Sequence, residues 1–289
     1  MDSQRRKIIQ IIAAVAQNSH FSGFATGRVY SGKLKAVCVP GLNCYSCPGA
    51  LGSCPIGALQ QLAMSPKFGA SFYVYGFLLL AGLIGGRLVC GFLCPFGLLQ
   101  ELLHKIPLPK LRESRALKAL NKAKYAVLGV LVIGVPTLLN IGGGVPIPAF
   151  CQFVCPAGTL EAGIPLVLLD GRLGAQAGLL FAWKAAVLAL AVLAATAIFR
   201  PFCRFLCPLG AIYSLFNKIS VVQIRRDAHL CDGCGKCAQA CPMHAEDAQS
   251  PECIRCGKCA MACPSSALRW CVKAGGGPAF GRARPSPPC

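Results

Sequence analysis

The sequence predicts a mainly α-helical protein in two parts. Residues 1–220 read as a polytopic membrane domain of about four spans with an internal duplication, and 221–270 as a compact α+β domain. A disordered tail is expected over 271–289, where glycine and proline dominate. Three observations carry this. Hydrophobic residues make up 55% of the 289-residue chain and charged residues 13%, against roughly 25% in a soluble domain. A cysteine–proline element recurs along the first part, and eight cysteines in two identically spaced runs fill the second.

Four apolar stretches supply the spans, each needing roughly 20 residues to cross about 30 Å of hydrocarbon. Ile8–Phe24 follows Arg5, Arg6 and Lys7 and holds Gln10, Gln17, Asn18 and His20. A cleaved signal peptide ending near Ala14-Val15-Ala16 is the alternative, and we read an uncleaved first helix. Phe68–Gly86 is bounded by Lys67 and Arg87. Tyr125–Ile141 contains Pro136, which predicts a kink. Leu179–Phe199 carries Trp183 and Lys184 near one end, where lysine can snorkel. The formal net charge of +19 does not point to nucleic acid, because the basic residues flank apolar stretches and form no separate basic domain.

The repeat is explicit. Arg87-Leu-Val-Cys90-Gly-Phe-Leu-Cys94-Pro95-Phe-Gly97 returns as Arg200-Pro-Phe-Cys203-Arg-Phe-Leu-Cys207-Pro208-Leu-Gly210. A third CxxxCP stands at Cys151–Pro156, and a shorter CPxG at Cys54–Gly57. Four CPxG elements alternating with spans describe a duplication. Counting spans puts Cys90, Cys94, Cys203 and Cys207 on one membrane face and Cys38, Cys44, Cys47, Cys54, Cys151 and Cys155 on the other. The loop after Cys94 is rich in lysine and arginine, which makes the first face cytoplasmic. Arg28, Lys33, Lys35 and Lys67 on the other face run against that assignment.

The eight C-terminal cysteines spell C-x2-C-x2-C-x3-C-P twice, at Cys231, Cys234, Cys237 and Cys241 and at Cys253, Cys256, Cys259 and Cys263. This is the ligand pattern of a bacterial-type 2[4Fe–4S] ferredoxin, in which the fourth cysteine crosses to the other cluster. Cys231, Cys234, Cys237 and Cys263 are expected to hold one cluster, and Cys253, Cys256, Cys259 and Cys241 the other. Zinc sites use paired CxxC instead. No span follows Cys207, so this domain is expected in the cytoplasm.

The membrane cysteines leave alternatives open. Cys90, Cys94, Cys203 and Cys207 could hold a further cluster or form two redox-active dithiols. On the other face, Cys38, Cys44, Cys47 and Cys54 could form one site and leave Cys151 and Cys155 as a dithiol, or Cys54 and Cys155 could share a site. Disulfides are a further option there. One or two additional clusters are therefore expected at most. No histidine lies in the middle of a span and no GxGxxG is present, so neither haem nor NAD is expected.

Spans ending in CxxxCP and joined to a double [4Fe–4S] module resemble the NapH-type family of membrane iron–sulfur proteins, with its NosR-type and CcoG-type members. The resemblance covers roughly Phe68 to Leu268. It implies a multi-pass protein of the cytoplasmic membrane that relays electrons between a cytoplasmic or quinol donor and an acceptor in or beyond the membrane. It implies a redox partner protein or quinol, and a subunit of electron transfer more than a stand-alone catalyst. The alternatives are a ferredoxin-fed thiol–disulfide or metal-ion reductase and a redox-sensing assembly or regulatory protein. Cys38–Cys54 and Cys151/Cys155 depart from the NapH pattern.

Overall fold

The computed structural model describes residues 3–64, 72–111, 113–169, 171–175 and 178–272. The first part is helical. Helix α1 (Ser3–Gln17) is followed by a strap, residues 37–54, folded back on itself by Val39 N–H to Ser53 O and Ser53 N–H to Val37 O. Then come α2 (Pro55–Met64), α3 (Phe72–Gly85), the short α4 (Leu88–Phe92) and α5 (Pro95–Leu103). The long helix α6 (Arg115–Ile141) separates this set from a second one. The second set is α7 (Pro156–Leu169), α8 (Leu179–Ala197), the short α9 (Pro201–Phe205) and α10 (Pro208–Leu215).

The two sets are copies related by an approximate two-fold exchange. Helix α3 packs on α10 as α8 packs on α5, and α1 lies on α4 and α5 as α6 lies on α9 and α10. The duplication read from CPxG is thus a duplication of packing.

Among the described residues two helices, α6 and α8, are long and apolar enough to cross a membrane; α3 and α7 are shorter apolar helices. Part of the expected Phe68–Gly86 span lies outside the described residues. The helix changes register next to Pro136. The stretch Val127–Gly134 is π-helical, and the α-helix resumes at Val135. Proline lacks the N–H and crowds the preceding turn, and a π-bulge accommodates both.

Helix α1 corrects the expected first span. It stops at Gln17, where the Asn18 side chain donates to Ala14 O at 3.1 Å. Its polar residues Arg6 and Gln10 are buried, while Ile8, Ile11, Ile12 and Val15 face outward. Arg6 on Glu101 and Gln17, which donates to Leu93 O at 2.8 Å, fasten the helix to the protein.

The C-terminal domain holds a two-stranded antiparallel sheet, β1 (Val222–Arg226) with β2 (Leu268–Val272). The short helices α11 (Lys236–Gln239) and α12 (Lys258–Ala262) complete it. Cys271 and Val272, expected in the tail, pair with Gln223 and Val222; the rest of that tail lies outside the described residues. The domain is docked on α4: Ile254 O lies where a Cβ on Gly91 would be, at 2.3 Å, and Trp270 meets the Phe92 ring edge-on at 6.2 Å.

Candidate iron–sulfur sites

Each CPxG element is the start of a helix. Cysteine is the N-cap and proline, which needs no N–H there, is the first helical residue. The glycine two residues later points its N–H at the cysteine sulfur, at 3.4 Å for Gly97 to Cys94, Gly158 to Cys155 and Gly210 to Cys207. The sulfur thus sits where unpaired helix N–H groups and the positive end of the helix dipole favour negative charge.

The residue six positions after each of these cysteines does a second job, which the sequence reading missed. Gln100 donates to Cys203 Sγ at 3.1 Å and accepts from Phe202 N–H at 3.1 Å. Gln60 donates to Cys151 Sγ at 3.0 Å and accepts from Phe150 N–H at 3.0 Å. Each glutamine ties its own CPxG helix to the opposite CxxxCP. In the other two elements the residue is Glu161 or Tyr213, and each holds the strap: Cys44 N–H donates to Glu161 at 2.6 Å and Tyr213 donates to Pro40 O at 3.0 Å. The signal was present as CPxGxxQ at Cys54–Gln60 and Cys94–Gln100.

Cys90, Cys94, Cys203 and Cys207 are all buried, and each bears on the others electrostatically. Burial, then the neighbouring thiols, push Cys94 and Cys207 up. Two buried guanidiniums flank the group reciprocally. Arg87 donates to Cys203 O at 3.0 Å, and Arg200 donates to Cys90 O. Each arginine also shares a carboxylate with a second cation. Glu101 takes Arg200 at 2.7 Å and Arg6 of α1 at 2.6 Å. Glu252 takes Arg87 at 3.0 Å and Lys124 of α6 at 2.5 Å. The second of these carboxylates comes from the C-terminal domain, so docking of that domain completes the two-fold arrangement.

Around a second centre lie Cys44, Cys54, Cys151 and Cys155. They border a cavity of about 770 Å³, with Cys38 on its wall. Burial is the main cause that pushes Cys44 and Cys54 up to about 12, and it pushes Glu161 up to about 7. Cys47 turns away, its sulfur 3.8 Å from Asn18 Oδ1.

The two centres do not stand a bilayer apart, and this corrects the opposite-face assignment. Leu42 N–H points at Cys94 and the adjacent Asn43 N–H at Cys54. The Phe150 and Phe202 rings, each one residue before a cysteine, are 6.4 Å apart. Counting spans tracks where a chain leaves a membrane and not how deeply a loop returns, and the strap returns as far as Cys94.

In the C-terminal domain, Cys241, Cys253, Cys256 and Cys259 line one small cavity with Ile224, Met243 and Ile254. Cys231, Cys237 and Cys263 are half-buried and Cys234 exposed; the Ser265 hydroxyl holds Cys263 below the usual thiol range. Backbone approaches between this domain and the helical part include Val221 N–H to Leu83 O at 2.7 Å and Ile254 O against Gly91, between Cys253 and Cys90.

Apart from Cys271, the eighteen cysteines among the described residues are free thiols. No group of three or more His, Cys, Asp or Glu among them draws in as tightly as one metal ion requires. Four thiolates on zinc at 2.3 Å would stand about 3.8 Å apart, whereas an iron–sulfur cube takes one thiolate at each of four irons and spreads them wider. Four buried thiols, three of them with an amide N–H aimed at the sulfur, suit the cube.

Sequence comparison agrees with the chemistry. Families described as 4Fe-4S binding domains match residues 67–113, 126–167 and 179–226, residues 223–245 and residues 251–269. An uncharacterized protein of Methanocaldococcus jannaschii, MJ0749, is 28% identical over 69% of this chain and 70% of its own length. The putative electron transport protein YccM of Escherichia coli is 27% identical over 68% of this chain and 54% of its own. The regulatory protein NosR of Pseudomonas aeruginosa is 29% identical over 60% of this chain and 23% of its own. The chain therefore spans about half of YccM and a quarter of NosR. No solved structure matches it.

Proposed function

We propose that this chain, which belongs with the ferredoxin-type electron transport proteins of the NosR/NapH-like kind, is a membrane-embedded electron conduit. Its ferredoxin domain holds two [4Fe–4S] clusters, on Cys231, Cys234, Cys237 and Cys263 and on Cys241, Cys253, Cys256 and Cys259. A third sits on Cys90, Cys94, Cys203 and Cys207. Bound clusters supply one-electron oxidation and reduction, each transfer oxidising one centre and reducing its neighbour.

One observation carries this reading. A single contiguous core contains Cys38, Cys54, Cys90, Cys94, Cys155 and Cys207, and Cys241 and Cys256 pack against it together with Cys151. Some thiols of each centre except the outermost ferredoxin site thus belong to, or pack against, one core. The protein's residues do three things for such a path. They fix the thiols at helix N-termini, donate N–H groups to the sulfurs, and set Arg87 and Arg200 against the negative charge.

A membrane setting is supported by the distribution of polarity. Arg6, Arg87, Arg200, Arg204 and Arg255 are among the most deeply buried side chains, while Leu79, Leu80, Leu138, Leu190 and Leu193 are exposed. Soluble proteins rarely expose so extensive an apolar surface. The ferredoxin domain faces the cytoplasm by the lysine and arginine bias of the 104–124 loop.

Iron and acid-labile sulfide, counted on protein purified without oxygen, test the reading. The double variant Cys90→Ser/Cys203→Ser should lose about four irons and keep the ferredoxin signals. An iron content equal to the wild type would refute the third cluster.

A further inference from the structure

Going beyond the three clusters above, we propose that Cys44, Cys54, Cys151 and Cys155 hold a fourth iron–sulfur cluster, built as a copy of the Cys90/Cys94/Cys203/Cys207 site with one ligand exchanged.

The copy can be followed atom by atom. Cys54 corresponds to Cys94: both are N-caps of a CPxG helix that ends its second turn in glutamine. Cys151 corresponds to Cys203: each accepts an N–H from that glutamine, at 3.0 and 3.1 Å. Cys155 corresponds to Cys207: each is an N-cap whose sulfur receives a glycine N–H at 3.4 Å. The residues before Cys151 and Cys203 are both phenylalanine, and both donate their N–H to the glutamine oxygen.

The fourth donor differs. Cys90 stands four residues before Cys94, but the residue four before Cys54 is Ala50. The copy would have three thiols if nothing replaced it. The strap supplies the replacement. Cys44 Sγ lies 3.6 Å from where a Cβ on Gly158 would stand, and Cys155 Sγ lies 3.9 Å from the same point. The Glu161 carboxylate fixes the Cys44 backbone there, and Cys44 bears electrostatically on Cys54, Cys151 and Cys155. Cys47 is turned to Asn18. Cys38 is held by its N–H on Tyr73 Oη at 3.0 Å and borders the cavity outside this set.

The site also has the space and the charge that a cube needs. The four thiols open onto the cavity of about 770 Å³, and Lys184 stands on its wall. A side chain at position 57 or 158 would narrow it, and both positions are glycine.

Iron and sulfide counts on the full-length protein, purified in detergent without oxygen, provide the test. Wild type should carry about sixteen irons, Cys44→Ser/Cys151→Ser about twelve, and Cys38→Ser/Cys47→Ser the wild-type number. Wild-type iron in Cys44→Ser/Cys151→Ser would overturn the proposal, as would a loss of iron in Cys38→Ser/Cys47→Ser. A wild type with about twelve irons, of which Cys90→Ser/Cys203→Ser removes four, would overturn this site and leave the three-cluster reading standing. Gln60→Leu keeps every thiol and guards against misfolding of the cysteine variants. It should retain the iron and shift the EPR midpoint of one cluster only; an unshifted midpoint overturns the assignment of Cys151.

Discussion

At the scale of single residues, the CPxG elements do more than supply ligands. Gln100 satisfies a buried N–H and a sulfur at once, so Gln100→Leu should leave Phe202 N–H without an acceptor. The expected cost is about 1–3 kcal/mol, read as a lower midpoint in denaturant. The lost N–H to Cys203 should also lower the reduction potential of that centre, which a redox titration checks. An unchanged potential would remove Gln100 from the site. The grouping of the cysteines was legible in their spacing. Gln60 and Gln100 were not read, because glutamine in an apolar helix resembles any buried amide until the opposite CxxxCP is in place. The same holds for Arg87 and Arg200. Their positions three before a cysteine were visible, but their reciprocal grip on Cys203 O and Cys90 O needs the two-fold packing.

At the scale of elements, the ferredoxin domain is joined to the helical part by Glu252. Removing it leaves Arg87 and Lys124, both wholly buried, without their carboxylate. Breaking a buried pair costs about 3–5 kcal/mol, and the 16% exposure of Glu252 places the expectation towards the lower end. Glu252→Ala should therefore loosen the docking, seen as faster amide exchange across 221–272 with the cysteine sites still loaded. Unchanged exchange would contradict that role. Helix α1 shows why element boundaries were only partly legible. Its apolar residues predict a span and its polar ones argue against it, and both signals are correct for a helix fastened by Arg6 to Glu101 with its isoleucines outward. A disturbance at Pro136 was legible because proline acts locally, but its form, a π-helical stretch just before it, depends on neighbours in space.

At the scale of the whole molecule, the duplication was legible and the distance between its two halves was not. Hydropathy assigns a segment to a face, and the strap carrying Cys44 crosses that assignment by folding back between Cys94 and Cys54. The exposed leucines of α6 and α8 belong to this scale too. Leu190→Arg on α8 places a charge on a surface read as lipid-facing, where the insertion penalty is about 2.5–3.5 kcal/mol. The carbonate-resistant membrane fraction should fall sharply; an undiminished fraction would count against a span there. The central claim is that the ferredoxin clusters and the Cys90/Cys94/Cys203/Cys207 centre form one electron path. EPR of the dithionite-reduced protein tests it most directly. The account predicts a third [4Fe–4S] signal, magnetically coupled to the ferredoxin pair, that disappears with its coupling in Cys90→Ser/Cys203→Ser. Identical spectra from wild type and variant would contradict it.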